Sequence, residues 1–234
     1  MKEKVKLIKV DHGNRTTPLN VGFEMAKGEY ISILDDDDIV FDNWVEEFYN
    51  LFQKSPGTIL HTYSLMQKWE KIDYNGEKAL RACESPDDLY CRDFNFLEQL
   101  KLNFCPTMSY ACPSYTFKKL GIKFNENLST AEDWDFLMRT AFITGVSDSN
   151  KVTSIYRIWN NSENSYSQHE RAEWLANEKL IKDYFNKVPI ILPEGYAAKI
   201  PFCLNCKKTK NKYNTERINL YVDYGYGFSE DSIN

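Results

Sequence analysis

The chain has 234 residues, enough for one good-sized domain with an appendage and too few for two full domains at roughly 100–200 residues each. Hydrophobic residues at 42% and charged residues at 27%, with 14 Phe, 15 Tyr and 5 Trp, exclude a disordered chain and require a packed core. A net charge of −5 lacks the basic footprint of sequence-independent nucleic-acid binding, so no nucleic-acid partner is expected.

In chain order, Val5 to Val10 reads as a short apolar strand, followed by the polar turn Asp11-His12-Gly13-Asn14. Thr17 as N-cap, Pro18 at the first helical position and Gly28 just past the end predict a helix. Glu29 to Leu34 reads as a strand running directly into Asp35, Asp36, Asp37 and Asp38, which puts four carboxylates at its C-terminal end. Asp42 can cap a core-facing helix carrying Trp44, Val45, Phe48, Leu51 and Phe52, closed by Ser55-Pro56-Gly57. Residues 58–67 read as a strand, 68–88 as a polar excursion and 93–102 as a helix with Phe94, Leu97 and Leu100 on one face. A strand near Thr107 to Ala111 and a short helix from Ser114 to Leu120, ended by Gly121, come next. Ser129 opens a further helix with the apolar stripe Trp134, Leu137, Met138 and Ala141, and Val152 to Trp159 is a strand. Strands alternating with helices imply an α/β domain on a largely parallel sheet, whose ligands gather outside the strands' carboxyl ends.

The expected domain spans residues 1–168, with residues 169–234 as a helical and irregular extension. That extension opens with an amphipathic helix from Arg171 to Phe185 and continues through Pro189, Pro193 and Pro201 to lysines 207, 208, 210 and 212. Such a lysine cluster can touch anionic lipid, and equally can be a solvated loop. With no apolar run of membrane-spanning length and no secretory signal, a cytoplasmic protein is expected, with peripheral contact at the inner membrane face as the use of those lysines. The six cysteines read as reduced thiols; Cys203 and Cys206 have half a zinc-ribbon spacing with no second half. His12, His61 and His169 fall in no ligand spacing.

Four consecutive aspartates repel one another unless a cation neutralises them. Hard carboxylate oxygens without nearby His or Cys suit Mg²⁺ or Mn²⁺, ions that bridge to a substrate's phosphates. The competing reading is a solvated acidic loop in which Asp38 or Asp42 merely caps the next helix. Ser129 and Glu132 also match a capping box, which gives Glu132 a structural reading.

The segment Gly28-Glu29-Tyr30-Ile31-Ser32-Ile33-Leu34 leading into the aspartates, with Asn20-Val21-Gly22 before it, resembles the inverting GT-A glycosyltransferases of family 2 and their DxD motif. Gly121 to Leu128 followed by Glu132-Asp133-Trp134-Asp135, and then Tyr156-Arg157 with Ser162 and Ser165, resemble that family's later motifs in the same order. The resemblance covers about residues 5–167. It implies a GT-A sheet flanked by helices and transfer of a sugar from a nucleotide-diphosphate donor to a hydroxyl acceptor with inversion, in bacterial surface-polysaccharide or glycan assembly. The implied partners are the nucleotide sugar and a glycan or lipid-linked acceptor.

Carried over by position, the resemblance makes Asp37 the ligand of Mn²⁺ or Mg²⁺ and Asp133 the general base, with Glu132 beside it. It puts Asp35 or Asp36 against the donor's ribose or sugar and Asn20 on the donor side. Arg157 holds the diphosphate or pairs with an aspartate, and Trp134 and Trp159 line an acceptor pocket or belong to the core. The family's usual first strand, helix and strand have no match here, and Leu19 stands where many members carry Arg. An N-terminally truncated domain is therefore expected, with a second copy or a partner chain covering the exposed sheet edge. The alternative function is a non-catalytic fragment, or a subunit of a split glycosyltransferase that acts through partner binding.

Overall fold

Asn14, a short polar side chain just ahead of an apolar-periodic stretch, accepts the Thr17 backbone N–H at 2.9 Å and so opens the first helix, α1 (Thr16–Met25). The N-cap expected at Thr17 thus sits two residues earlier, at Arg15, with the side-chain bond supplied by Asn14 before it, and Pro18 remains inside the first turn. The computed structural model describes residues 5–11, 14–159 and 169–189. Val5 to Val10 does not form the expected strand: no sheet strand pairs with it among the described residues, and Val5 and Leu7 are exposed.

The remaining elements are β1 (Tyr30–Ser32), β2 (Ile39–Val40), α2 (Trp44–Lys54), β3 (Ile59–Tyr74), β4 (Glu77–Ala82), α3 (Phe96–Lys101), β5 (Tyr110–Pro113), α4 (Ser114–Lys118), α5 (Glu132–Thr144), β6 (Val146–Trp159) and α6 (Arg171–Phe185). The strands form one sheet in the order β1-β5-β3-β6-β2, with β4 paired to the outer half of β3. The fold is the expected α/β sheet flanked by helices, but the sheet is mixed. Only β3 and β6 run parallel, while β1–β5, β5–β3, β2–β6 and β3–β4 are antiparallel. Strand and helix alternation carries no information on direction when connections are short excursions instead of full crossovers, which is why the largely parallel expectation fails.

The stretch read as a polar excursion contains a hairpin. Strand β3 continues to Tyr74, and Asn75 and Gly76, at φ 55° and 81°, turn the chain into β4. Asn-Gly is the dipeptide that tolerates two successive left-handed residues, so the signal was present in the sequence.

The core under the site is aromatic. Phe23 of α1 lies 5.4, 5.1 and 5.3 Å from the rings of Phe117, Phe124 and Phe136, and Phe124 stacks on Phe136 at 4.1 Å. Edge-on and offset ring pairs add about 0.5–1.5 kcal/mol each beyond the area they bury. The α5 stripe of Trp134, Leu137, Met138 and Ala141 is buried as its spacing predicts. A second cluster sets Phe48 and Leu51 of α2 against Leu60 and Ala111 of the sheet. By its contacts the chain divides into Met1–Ile181 and Lys182–Asn234. The sheet and everything described below lie in the first unit, to which Asn177 of α6 is fastened by bonds to Ser129 and Thr130 at 3.2 and 2.9 Å.

Candidate functional site

The acidic run leaves β1 as a tight turn, closed by the Asp38 N–H on the Asp35 carbonyl at 3.2 Å. Each of the four carboxylates meets a different fate. Asp35 accepts from Arg15 Nη2 at 2.7 Å and from the Thr107 hydroxyl at 3.0 Å. Asp36 is exposed. Asp37 Oδ2 accepts the indole N–H of Trp159 at 3.0 Å. Asp38 Oδ1 accepts the Arg157 backbone N–H at 2.8 Å, while its Oδ2 is buried without a hydrogen-bond partner. Burial, opposed by that N–H and reinforced by Asp37 and Asp35, pushes the Asp38 carboxyl up to about 7.

Helix α5 brings the second acidic pair. Ala131, at φ 59°, precedes it in left-handed backbone and contributes no side-chain cap, so the capping box read at Ser129 and Glu132 does not form. Ser129 instead bonds Glu173 and Asn177, and Glu132 turns toward Arg15, whose Nε is 3.4 Å from Glu132 Oε1. Asp133 is partly exposed and accepts the Trp134 N–H at 2.7 Å. Burial raises the carboxyls of both Glu132 and Asp133 above the usual range, and Arg15 works against the rise. Burial also disfavours the charge on Arg15, but Asp35, Asp133 and Glu132 outweigh it and keep the guanidinium protonated.

Asp35 and Glu132 therefore meet at one cation, Arg15, with Asp133 within its electrostatic reach. Sequence reasoning missed Arg15. Its signal is an anomaly, a positive charge at the N-cap of α1 where the helix dipole disfavours one and where the first turn holds no acid. A cation in that position implies a partner from elsewhere in the chain.

The other candidates lie apart from this cluster. Asn20 ties α1 to the 124–126 segment, donating to the Phe124 carbonyl and to Glu126 and accepting the Phe124 N–H at 2.9 Å. Arg157 donates from Nε to the Asp37 carbonyl, and its guanidinium sits 5.2 and 5.1 Å from the rings of Trp69 and Trp159. The contact is with the Asp37 backbone oxygen and not with a carboxylate, and cation–π contact is added. Trp134 is core, 3% exposed, with its indole N–H on the Gln99 carbonyl at 2.8 Å. Ser162, Ser165, Cys203, Cys206 and the lysine cluster lie outside the described residues.

A divalent ion can be tested against these donors. Among the described residues no three His, Cys, Asp or Glu side chains converge to cage a metal. The orphaned Asp38 Oδ2 and the adjoining Asp37 carboxylate, whose Oδ2 already accepts the Trp159 N–H, are nonetheless hard oxygen donors. They fit an ion held by one or two carboxylates and completed by phosphate oxygens, the usual manner of Mg²⁺.

Residues 1–110 match the family model described as glycosyl transferase family 2. That stretch, just under half of the chain, resembles family 2 glycosyltransferases. An uncharacterized glycosyltransferase of Rickettsia prowazekii is 25% identical over 163 residues, 67% of this chain and 48% of that protein. The poly(ribitol-phosphate) beta-N-acetylglucosaminyltransferase TarP of Staphylococcus aureus is 38% identical over 47 residues, 20% of this chain and 14% of that protein. The fold is the GT-A fold, as in TarS from S. aureus. The crystal structure of TarS with UDP superposes with a TM-score of 0.53 at 16% identity, covering 76% of this chain and 47% of that one. TarS has also been solved with UDP-GlcNAc. The chain spans about half the length of the Rickettsia relative. No helix among its described residues is long and apolar enough to cross a membrane.

Proposed function

We propose that this chain transfers a sugar, with inversion, from a nucleotide-diphosphate donor to a hydroxyl of a glycan or lipid-linked acceptor in cell-surface glycan assembly. The observation that carries the reading is the meeting of Asp35, Glu132 and Asp133 around Arg15, because it joins the end of a sheet strand to a partly exposed carboxylate of raised basicity. TarS binding UDP and UDP-GlcNAc makes a uridine nucleotide sugar the first donor to test.

In this reading Asp133 takes the acceptor hydroxyl's proton as that oxygen attacks the anomeric carbon from the face opposite the leaving diphosphate. Asp35 adds to burial the negative field that favours protonation of Asp133, and Glu132 beside it is held by Arg15. Asp35 or Asp36 contacts the donor's ribose or sugar. Asn20 and Arg157 serve the donor side through the segments they fasten. Asp37 and Asp38 would hold Mn²⁺ or Mg²⁺, which when bound neutralises charge on the departing diphosphate. The expected setting is the cytoplasmic side of the membrane.

The test is calorimetric titration of UDP with and without Mn²⁺, followed by UDP-release assays with UDP-GlcNAc and hydroxyl acceptors, on wild type and Asp133→Asn. The variant is expected to bind UDP as wild type does and to lose about 10²–10⁴-fold in turnover. A variant that turns over normally removes Asp133 from the mechanism. A folded wild type that binds no uridine nucleotide under either condition removes that donor class.

A further inference from the structure

Away from the acidic cluster, the inner sheet holds a second group of reactive side chains. His61 of β3 is 1% exposed, and its ring is engaged at both nitrogens. Nδ1 lies 2.7 Å from Asp148 Oδ1 of β6, and Nε2 lies 3.5 Å from the thiol sulfur of Cys105. Asp148 is itself fixed, since the same oxygen accepts the Phe94 backbone N–H at 2.8 Å. A carboxylate that orients one nitrogen of an imidazole, with a thiol at the other, is the arrangement that lets a buried sulfur part with its proton. Burial opposes charge on His61, and Cys105 together with Asp148 outweighs it and holds the imidazolium up to about 10.

The sulfur is not sealed in. Cys105 lines a cavity of about 50 Å³ together with Arg92, Phe94, Gln99 and Phe104. On the same measure a single water needs roughly 10–15 Å³, so the cavity admits small polar molecules and excludes thiols of peptide size. Its polar surroundings include Gln99 Oε1, 3.8 Å from the sulfur, the guanidinium of Arg92, which lies 4.1 Å from the Phe104 ring centre, and Asp93, Asn95 and Glu98. Cys112 supplies a contrast within the chain. It is equally buried, at 1%, and burial alone pushes its thiol up.

We propose that Cys105, paired with His61 and Asp148, is a peroxide-reactive thiol that is converted to a sulfenic acid by hydrogen peroxide entering this cavity. The Cys105 sulfur, as thiolate, attacks one peroxide oxygen. The S–O bond forms as the O–O bond breaks, and the departing hydroxide takes the proton from His61 Nε2 and leaves as water. Sulfur is oxidised by two electrons, peroxide is reduced by two, and His61 ends neutral, still bonded to Asp148. The inference is independent of the sugar-transfer reading and uses none of its residues.

The test treats the purified 234-residue chain with substoichiometric hydrogen peroxide, removes the remainder with catalase, unfolds the chain in dimedone so that the probe need not enter the cavity, and reads the modified cysteine by peptide mass spectrometry. Cys105 is expected to be labelled at least tenfold faster than exposed Cys83 and faster still than Cys112, while a bulky aromatic disulfide reagent modifies Cys83 first. His61→Gln and Asp148→Asn are expected to lower the Cys105 rate at least tenfold. If either variant loses its native circular dichroism, the wild-type ranking of cysteines decides the matter without it. Labelling led by Cys83, or Cys105 reacting no faster than Cys112, overturns the proposal.

Discussion

Arg15 and Asp35, twenty residues apart and on opposite sides of the first helix, are joined by a 2.7 Å ion pair whose cation also reaches Glu132. Because a nearby cation favours the charged form of a carboxylate, removing it raises the basicity of Glu132 and Asp133. Arg15→Gln is therefore expected to move the acidic limb of the pH profile of kcat/KM upward by about one pH unit, a tenfold loss on the low-pH side. A limb that stays in place would show that Arg15 is only packing.

The Asp38 carboxyl is raised by burial from an ordinary carboxylate value to about 7 in the folded chain. The folded state then holds the proton more tightly than the unfolded state. The stability this contributes is fully present below about pH 4 and is lost as pH rises to about 7. Asp38→Asn keeps an oxygen for the Arg157 N–H and removes the titration. Measured with a chelator present, its gain in Tm over wild type is expected to be larger at pH 8 than at pH 5. An equal shift at both values would contradict the assigned cause.

Asn20 bridges α1 to the 124–126 segment with three hydrogen bonds. Asn20→Ala leaves the Phe124 N–H and carbonyl without their partner, a loss of about 1–3 kcal/mol. Thermal unfolding is expected to shift down by roughly 2–12 °C in a domain of this size. A Tm within a degree of wild type would mean that water replaces the side chain.

Ala131 holds left-handed backbone, at φ 59°, directly before the acidic pair. For an alanine this conformation costs about 1–2 kcal/mol, of which glycine returns most while adding about 0.5–1 kcal/mol of unfolded-state entropy. Ala131→Gly is expected to raise Tm by about 1–3 °C in calorimetry. A lower Tm would show that the methyl's packing outweighs the backbone strain.

Much of this was legible from residue types alone. The acidic run at the end of an apolar strand, the α5 stripe and the extent of α6 follow from periodicity and caps. Strand direction was not, because antiparallel β1, β2 and β5 are too short to show a pattern of their own. Strand β6 begins at Val146, six residues before the expected strand, through a polar stretch whose pairing with β3 and not its composition makes it a strand. In the site, Asp35 and Asp133 were identifiable by motif. Arg15 was not, since the partners that give it meaning lie twenty and more than a hundred residues away.

The parallel pairing of β3 with β6 also bears on how the chain is made. Ser64 and Ser154, hydrogen-bonded at 3.0 Å, are 90 positions apart. During synthesis β3 leaves the ribosome long before its neighbour, with one edge waiting for a strand that has yet to be translated. Contacts of such span are slow to close, and the open edge is a template for other chains in the interval. The family-matched stretch, residues 1–110, ends before β6 begins. Produced alone, it would carry that waiting edge permanently.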